Sequence, residues 1–273
     1  MDELGDDLLL LAARADGRLP IGTTLRFGLA GSELVRLAAA RRVDVVGGRI
    51  EVLDSAPTGD ALLDDALGSM TGGRRGGPTA KAWVARDRRG LVERYLARAE
   101  ATGIIRAERR KALGFIPVTR WTVVDSGRAA QARARLEIIA VSTGTVDSAQ
   151  VALAGLASAI EVTGIVFPGR AGSAARKRLR QVAKGDAASA GVTRAVTDAA
   201  SDDAARAASD ATRAATAAAT EAAIRAATDA AVQASVDAAT QAATQAAISA
   251  ATEAATHAAS QAGHHGGAAG GHH

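Results

Sequence analysis

VLDSAPTGDALLDDAL, residues 52–67, joins the end of an extended run to a helix, and its two halves obey different local rules. Asp54 to Gly59 is turn chemistry, with Pro57 and Gly59 unsuited to a helix interior. Asp60 then stands where a helix N-cap belongs, and Leu62, Leu63, Ala66 and Leu67 recur at helical spacing behind it. Upstream, VDVVGGRIEVL (43–53) places two short alternating runs around Gly47-Gly48, a hairpin signal. Before that, residues 32–41 (SELVRLAAAR) and 4–14 read as helices, the latter with Asp6 and Asp7 in its first turn and with Gly17 and Pro20 breaking it.

Downstream, GGRRGGP (72–78) reads as a connector. Residues 80–102 carry Trp83, Leu91, Tyr95 and Leu96 among many arginines, which predicts one long helix stopping at Gly103. FIPVTRWTVV (115–124) completes a strand pair or projecting hairpin, with Pro117 confining it to an edge. Helices over 128–142, 148–162 and 174–183 follow. The expected fold is mainly α: a helical-bundle core with a projecting β-hairpin, then a long Ala-rich tail, helical or disordered.

The tail is a repeat. From Ala214 to Gln261 twelve four-residue units follow the form Ala-Ala-Thr-x, with Ile224, Val232, Val236, Ile248 or Ser260 at times replacing Thr. A four-residue period overshoots the 3.6-residue turn, so the Thr row drifts about 40° per unit and forms no straight stripe. The chain therefore divides into a folded domain at 1–200, a repeat helix at 201–261 and a flexible Gly/His terminus at 262–273.

There is no Cys, and all five His lie at or beyond His257, which removes thiolate chemistry, cysteine metal sites and any imidazole from the folded part. The N-terminus lacks a signal pattern, and Leu8–Leu11 is too short to span a bilayer, so a cytoplasmic setting is expected. The tail from Ser201 holds seven acids against three arginines, a net of −4; with +4 on the whole chain, residues 1–200 carry +8. Such a domain favours anionic partners.

Asp54, Asp60, Asp64 and Asp65 invite a metal or acid–base reading, but Asp60 is explained as a cap and Asp64 and Asp65 as solvated first-turn acids. No metal, cofactor or catalytic residue is expected, and the protein reads as non-enzymatic. Arg86, Arg88 and Arg89, with Arg94 and Arg98, could clamp phosphate, since guanidinium groups bond its oxygens in pairs; the bland alternative is a solvated helix face. Phe115, Ile116 and Trp121 suit either a membrane-inserting tip or a core plug. Arg170, Arg176, Lys177, Arg178, Arg180 and Lys184 form a basic end.

The loop SAPTGD with Ala61-Leu62-Leu63-Asp64 resembles the signature of the Golgi phosphoprotein 3 family. Leu8–Leu11, Gly28-Leu29-Ala30-Gly31, the segment 94–105 ending Gly-Ile-Ile, and 175–182 (ARKRLRQV) occur in that family's order, so the resemblance covers roughly residues 2–186. It implies a helical domain with a projecting hairpin at about 111–125. It also implies phosphatidylinositol 4-phosphate binding and an adaptor role that in eukaryotic members retains Golgi glycosyltransferases. The Ala- and Arg-rich, Lys-poor composition suggests a high-GC bacterial gene. Of the family's headgroup positions, a Trp, an Arg and two helix Arg, this chain has Ile21, Ala30, Arg89 and Val92. Arg26, Arg86 and Arg88 would supply replacement charge.

These readings lead to a peripheral membrane adaptor that binds anionic lipid through Arg26, Arg86, Arg88 and Arg89 and inserts Phe115, Ile116 and Trp121. The alternative is a scaffold that binds protein clients or self-associates as a homo-oligomer. Nucleic acid ranks third, because aromatic residues are only 2% and offer few stacking platforms.

Overall fold

Leu8, Leu9, Leu10 and Leu11 are all buried, so α1 (Leu4–Leu11) is enclosed on every face, as its unbroken apolar run requires. The computed structural model describes residues 3–71, 77–86, 88, 90–112, 116–184 and 187–265, with side chains described at all of these except 23, 110–112, 116–117, 187–189 and 261–265. The first-turn acids of α1 do more than complement its dipole. Asp6 accepts from Arg98 at 2.9 Å and Asp7 from Arg135 at 2.7 Å.

The hub of the domain is α2 (Thr23–Ala39), which touches α1, α3 (Ala61–Thr71), α4 (Ala80–Ala85), α5 (Leu91–Ala101) and α7 (Ser148–Ala159). It begins nine residues before the expected start at Ser32. Gly28 and Gly31, read as preceding the helix, lie inside it, where Ile160 and Val196 would meet an added Cβ at 2.7 and 2.6 Å. Their low helix propensity is offset by close packing that no larger residue permits.

The hairpin expected at 43–53 is present as β2 (Val43–Val46) and β3 (Arg49–Val52), paired Val46 to Arg49. Gly47 and Gly48 both have positive φ, as a two-residue turn of the favoured hand requires. In the loop that follows, Asp60 caps α3 by accepting from Leu62 N at 2.9 Å. Asp64, expected to be solvated, instead accepts from both the backbone N–H and the hydroxyl of Thr58, at 2.6 and 2.7 Å.

The long helix expected over 80–102 is two helices. Thr79 caps α4, Arg86 turns extended at ψ 128°, and Gly90 at φ 75° starts α5 afresh. A left-handed residue cannot sit within a right-handed helix, and glycine occupies that region at least cost.

β4 (Ile105–Ala112) and β5 (Ile116–Val123) form the second hairpin, and the two-residue β1 (Arg18–Leu19) extends it into a sheet of order β1-β5-β4. β5 is therefore central near Trp121 and Thr122, where β1 pairs, and an edge only at the Pro117 end. α6 (Ser126–Val141), α7, α8 (Thr163–Val166) and α9 (Ser173–Val182) close the bundle, with α7 almost wholly buried behind an Asp147–Gln150 capping box. At the basic end, Arg176 donates to the carbonyls of Phe167 and Gly169 and Arg178 to that of Ser142, so these two guanidinium groups tie loops to α9.

By its contacts the chain divides into two compact units, Met1–Ala205 and Arg206–His273, with α10 (Ala187–His265) running through the division. In the first unit, Val192, Ala195, Val196 and Ala199 of α10 belong to the core. In the second, residues 206–260 are exposed throughout. Its threonines, for example Thr216, Thr220 and Thr228, return their hydroxyls to the carbonyl four residues earlier at 2.9 Å, which satisfies them without a partner helix. The end of the Gly/His terminus, 266–273, lies outside the described residues.

Candidate anion-binding site

The break between α4 and α5 converts what the sequence suggested was a helix face into a loop, and that loop lines a cavity of about 430 Å³. Arg86 and Arg88 come from the loop, Arg26 from the first turns of α2, and Ile21 and Gly22 from the segment before it. Gly90, Leu91, Val92 and Glu93 complete the wall. Both helices that begin here, α2 with 17 residues and α5 with 11, have glycine N-caps, Gly22 and Gly90, which bring no capping side chain. The N-cap of α2 and the first turn of α5 thus share one cavity with three arginines, an arrangement that attracts a negative charge.

Arg88 is the most constrained of the three. Its side chain is 9% exposed, lies over the Trp83 ring at 4.4 Å and pairs with Glu33, which is 0% exposed. Trp83 is itself fixed, donating its indole N–H to Ser69 Oγ at 2.9 Å. Burial pushes the Glu33 carboxyl up to about 7, against the pull of the Arg88 guanidinium. Among the described residues, Arg88 Nε and Nη1 are buried and have no hydrogen-bond partner.

Arg26 lies over Phe27 at 4.5 Å and is half-buried, with its Nη2 donating to Asp203 Oδ1 at 3.3 Å. Arg86 is exposed at the mouth, as is Ile21, at 45%. The structure therefore brings Arg26, Arg86 and Arg88 together. Ala30, the position matched to an arginine of the family pattern, is 2% exposed in the core, one turn below Arg26. Arg89 lies outside the described residues.

Of the residues expected to insert, only Trp121 has a described side chain. Trp121 is half-buried, pairs with Leu19 and Ala107 near the base of the sheet and packs against the core, so its side chain is a core plug rather than a tip. Ile116 is in β5 opposite Ala112, with its side chain not described, and Phe115 lies outside the described residues. Val118, between them and Trp121, is 45% exposed.

The carboxylate set resolves into separate structural partnerships. Asp54 pairs with Arg42, Asp60 with Arg36 and Arg98, Asp64 with Thr58, and Asp65 with Arg94. A second cavity, about 570 Å³, is lined by Glu3, Asp7 and Asp147 against the single cation Arg135, which suits an anion poorly. Sequence reasoning missed Glu33 and Asp203. Glu33 carries no local signal, whereas Asp203 continues the spacing of the apolar face of α10.

Fold and site together define a mainly helical domain with a basic cavity beside the starts of two helices. The sequence model of the Golgi phosphoprotein 3 (GPP34) family matches residues 4–199, and the chain belongs to that family. No individual curated protein matches it. Among the described residues no helix is long and apolar enough to cross a membrane.

Proposed function

We propose that the protein is a non-enzymatic, peripheral membrane protein that docks on anionic phospholipid through the Arg26, Arg86 and Arg88 cavity. The observation that carries this reading is the convergence of Arg26, Arg86 and Arg88 on one cavity, which the N-cap of α2 and the first turn of α5 also line. Phosphate oxygens suit that arrangement, because guanidinium groups and helix N-termini both recognise them. Membership of the family makes phosphatidylinositol 4-phosphate the first headgroup to test and an adaptor role the accompanying expectation. The site is nevertheless composed differently from the family pattern: Ile21 stands at the Trp position, and charge comes from Arg26 in place of Ala30. Insertion falls to the outer half of the second hairpin, where Val118 is exposed and Phe115 and Ile116 adjoin it in sequence.

Flotation with phosphatidylcholine vesicles, with and without phosphatidylinositol 4-phosphate, tests the reading. Arg86→Ala is the informative variant, because Arg86 is exposed and its loss leaves the buried Glu33–Arg88 pair intact. Binding should be weaker in that variant and should fall with added salt, as each basic residue near such a surface contributes about 1 kcal/mol. Wild-type protein that stays with the unbound fraction at low salt would remove the proposal.

The self-association alternative draws no such support from the exposed repeat. Ile224, Val232, Val236 and Ile248 are its large apolar residues, and the last three fall about 80°, 120° and 240° around the axis from the first. No single face gathers them.

A further inference from the structure

Arg88 joins the cavity to the interior of the domain. It lines the wall with Arg26 and Arg86, and its Nη2 donates to Oε2 of Glu33, whose side chain is 0% exposed. The other oxygen of that carboxyl, Oε1, is buried without a hydrogen-bond partner among the described residues. A carboxylate held at one oxygen recovers little of its lost hydration, so burial favours the protonated form and pushes the Glu33 carboxyl up to about 7. Trp83 gives the guanidinium a second support. Its ring centre lies 4.4 Å from Arg88 Cζ and its indole is fixed by Ser69, so this contact persists when Glu33 is neutral. Arg94 and Tyr95 act on the carboxyl from α5 and Asp60 from the start of α3, and Arg36 follows one turn along α2. Arg94 is paired with Asp65, and Asp60 with Arg36 and Arg98. Of the other elements against α2, α1 brings Asp6 and Asp7, each bonded to an arginine, and α4 brings Lys81, paired with Asp202. β2 brings Asp44, which accepts from Val45 N, α10 brings Asp203, held by Arg26, and α7 brings no charge.

We propose that Glu33 is a proton-operated counter-charge of the cavity: ionised, it competes with a headgroup for the Arg88 charge, and protonated, it yields that charge to the headgroup. The inference rests on the lipid-binding reading above and supplies its regulation. An anion in the cavity and an ionised Glu33 repel one another across one guanidinium, so each disfavours the other. Protonation removes the repulsion and leaves Arg88 cationic. By reciprocity, an anion that binds draws a proton onto Glu33. Binding therefore strengthens as pH falls through neutrality. A phosphomonoester itself loses charge as pH falls through about 6, which works the other way. A diester lipid keeps its single charge over this range, so it reads the protein alone. Glu33 touches no ligand in this scheme; it acts through Arg88.

The test follows flotation of the full chain with phosphatidylcholine vesicles carrying phosphatidylglycerol, at constant salt, from about pH 6 to about pH 8.5. Glu33→Gln removes the titrating group and keeps the shape of the side chain. Both proteins carry the five histidines at or beyond His257, so histidine titration cancels in the ratio of the two profiles. At the alkaline end Glu33→Gln should bind about threefold to tenfold more tightly than wild type, the effect of one charge about 10 Å away at an effective dielectric constant of about 25 to 50. At the acidic end the two should converge. Parallel profiles, or a variant weaker than wild type by one factor at every pH, would overturn the inference and leave the lipid-binding reading standing. If Glu33→Gln does not fold, calorimetry decides, using the otherwise wild-type chain with all five histidines changed to glutamine. Vesicle binding at about pH 7, measured in two buffers of different ionisation enthalpy, should take up protons, and binding without uptake would overturn the inference. If wild type floats at no pH, the inference and the reading beneath it fall together.

Discussion

At the residue scale, two carboxylates, the buried Glu33 and the half-buried Asp60, shape how the domain responds to pH and mutation. Glu33 ionises near 4.5 in an unfolded chain and near 7 in the folded one. Between those values the folded protein holds a proton that the unfolded chain has released, so stability is greatest below the lower value and falls as pH rises toward the upper. The change amounts to roughly 3 kcal/mol across the window. Asp60 has the opposite sign: against the upward push of desolvation, hydrogen bonds from Arg36 and Leu62 and the charges of Arg36 and Arg98 lower its carboxyl, and its contribution is lost in acid. Comparing urea unfolding of wild type with Glu33→Gln isolates the first effect. Wild type should lose stability relative to the variant from about pH 5 to about pH 7.5, and parallel profiles would show that the carboxyl does not titrate there. Asp60 supports a second prediction. It is the partner of Arg36, which is 6% exposed, and also bonds Arg98 and the first turn of α3. Asp60→Ala strands a buried cation and should cost about 3–5 kcal/mol in chemical denaturation, whereas Asp60→Asn, which keeps the cap acceptor, should cost less.

At the element scale, packing of the start of α10 onto α2 can be tested by overfilling its closest approach. Gly31→Ala would place a methyl carbon 2.6 Å from Val196 and 2.7 Å from Leu156. It should destabilise the domain by about 1–3 kcal/mol and speed amide hydrogen exchange across 192–203 more than across α5. Uniform acceleration would mean that this contact does not act locally. Elements were legible in the sequence wherever one local rule governs them. The 43–53 hairpin followed from alternation around Gly47-Gly48, and the mainly helical class with its Ala-rich tail from periodicity and composition. The break at Gly90 was hidden because one glycine in an arginine-rich helical pattern reads as a tolerated defect, and its positive φ belongs to the fold. β1 is two residues long and exists only through its pairing with Trp121 and Thr122. The cavity was half legible: its arginines stood out as phosphate ligands, but their convergence on Ile21 depends on that hidden break, and the Arg26–Asp203 contact spans 177 positions.

At the scale of the whole molecule, the two units draw on different sources of helical stability. The first buries a continuous core that includes Trp83, and Trp121 packs against it. The second is a run of exposed helix whose order rests on alanine propensity, threonine back-bonds and short-range pairs such as Glu221–Arg225. A packed core unfolds cooperatively, whereas an exposed helix frays from its free end and loses helicity gradually, because each residue contributes only a small propagation term. Both tryptophans lie in the first unit, so fluorescence follows that unit alone, while far-UV circular dichroism sums the helices of both. Heating should therefore give a sigmoidal fluorescence transition and a sloping dichroism signal that begins to decline well below it. Coincident curves would require residues 206–265 to melt with the core, and would mean that the exposed repeat is held by contacts its composition does not supply.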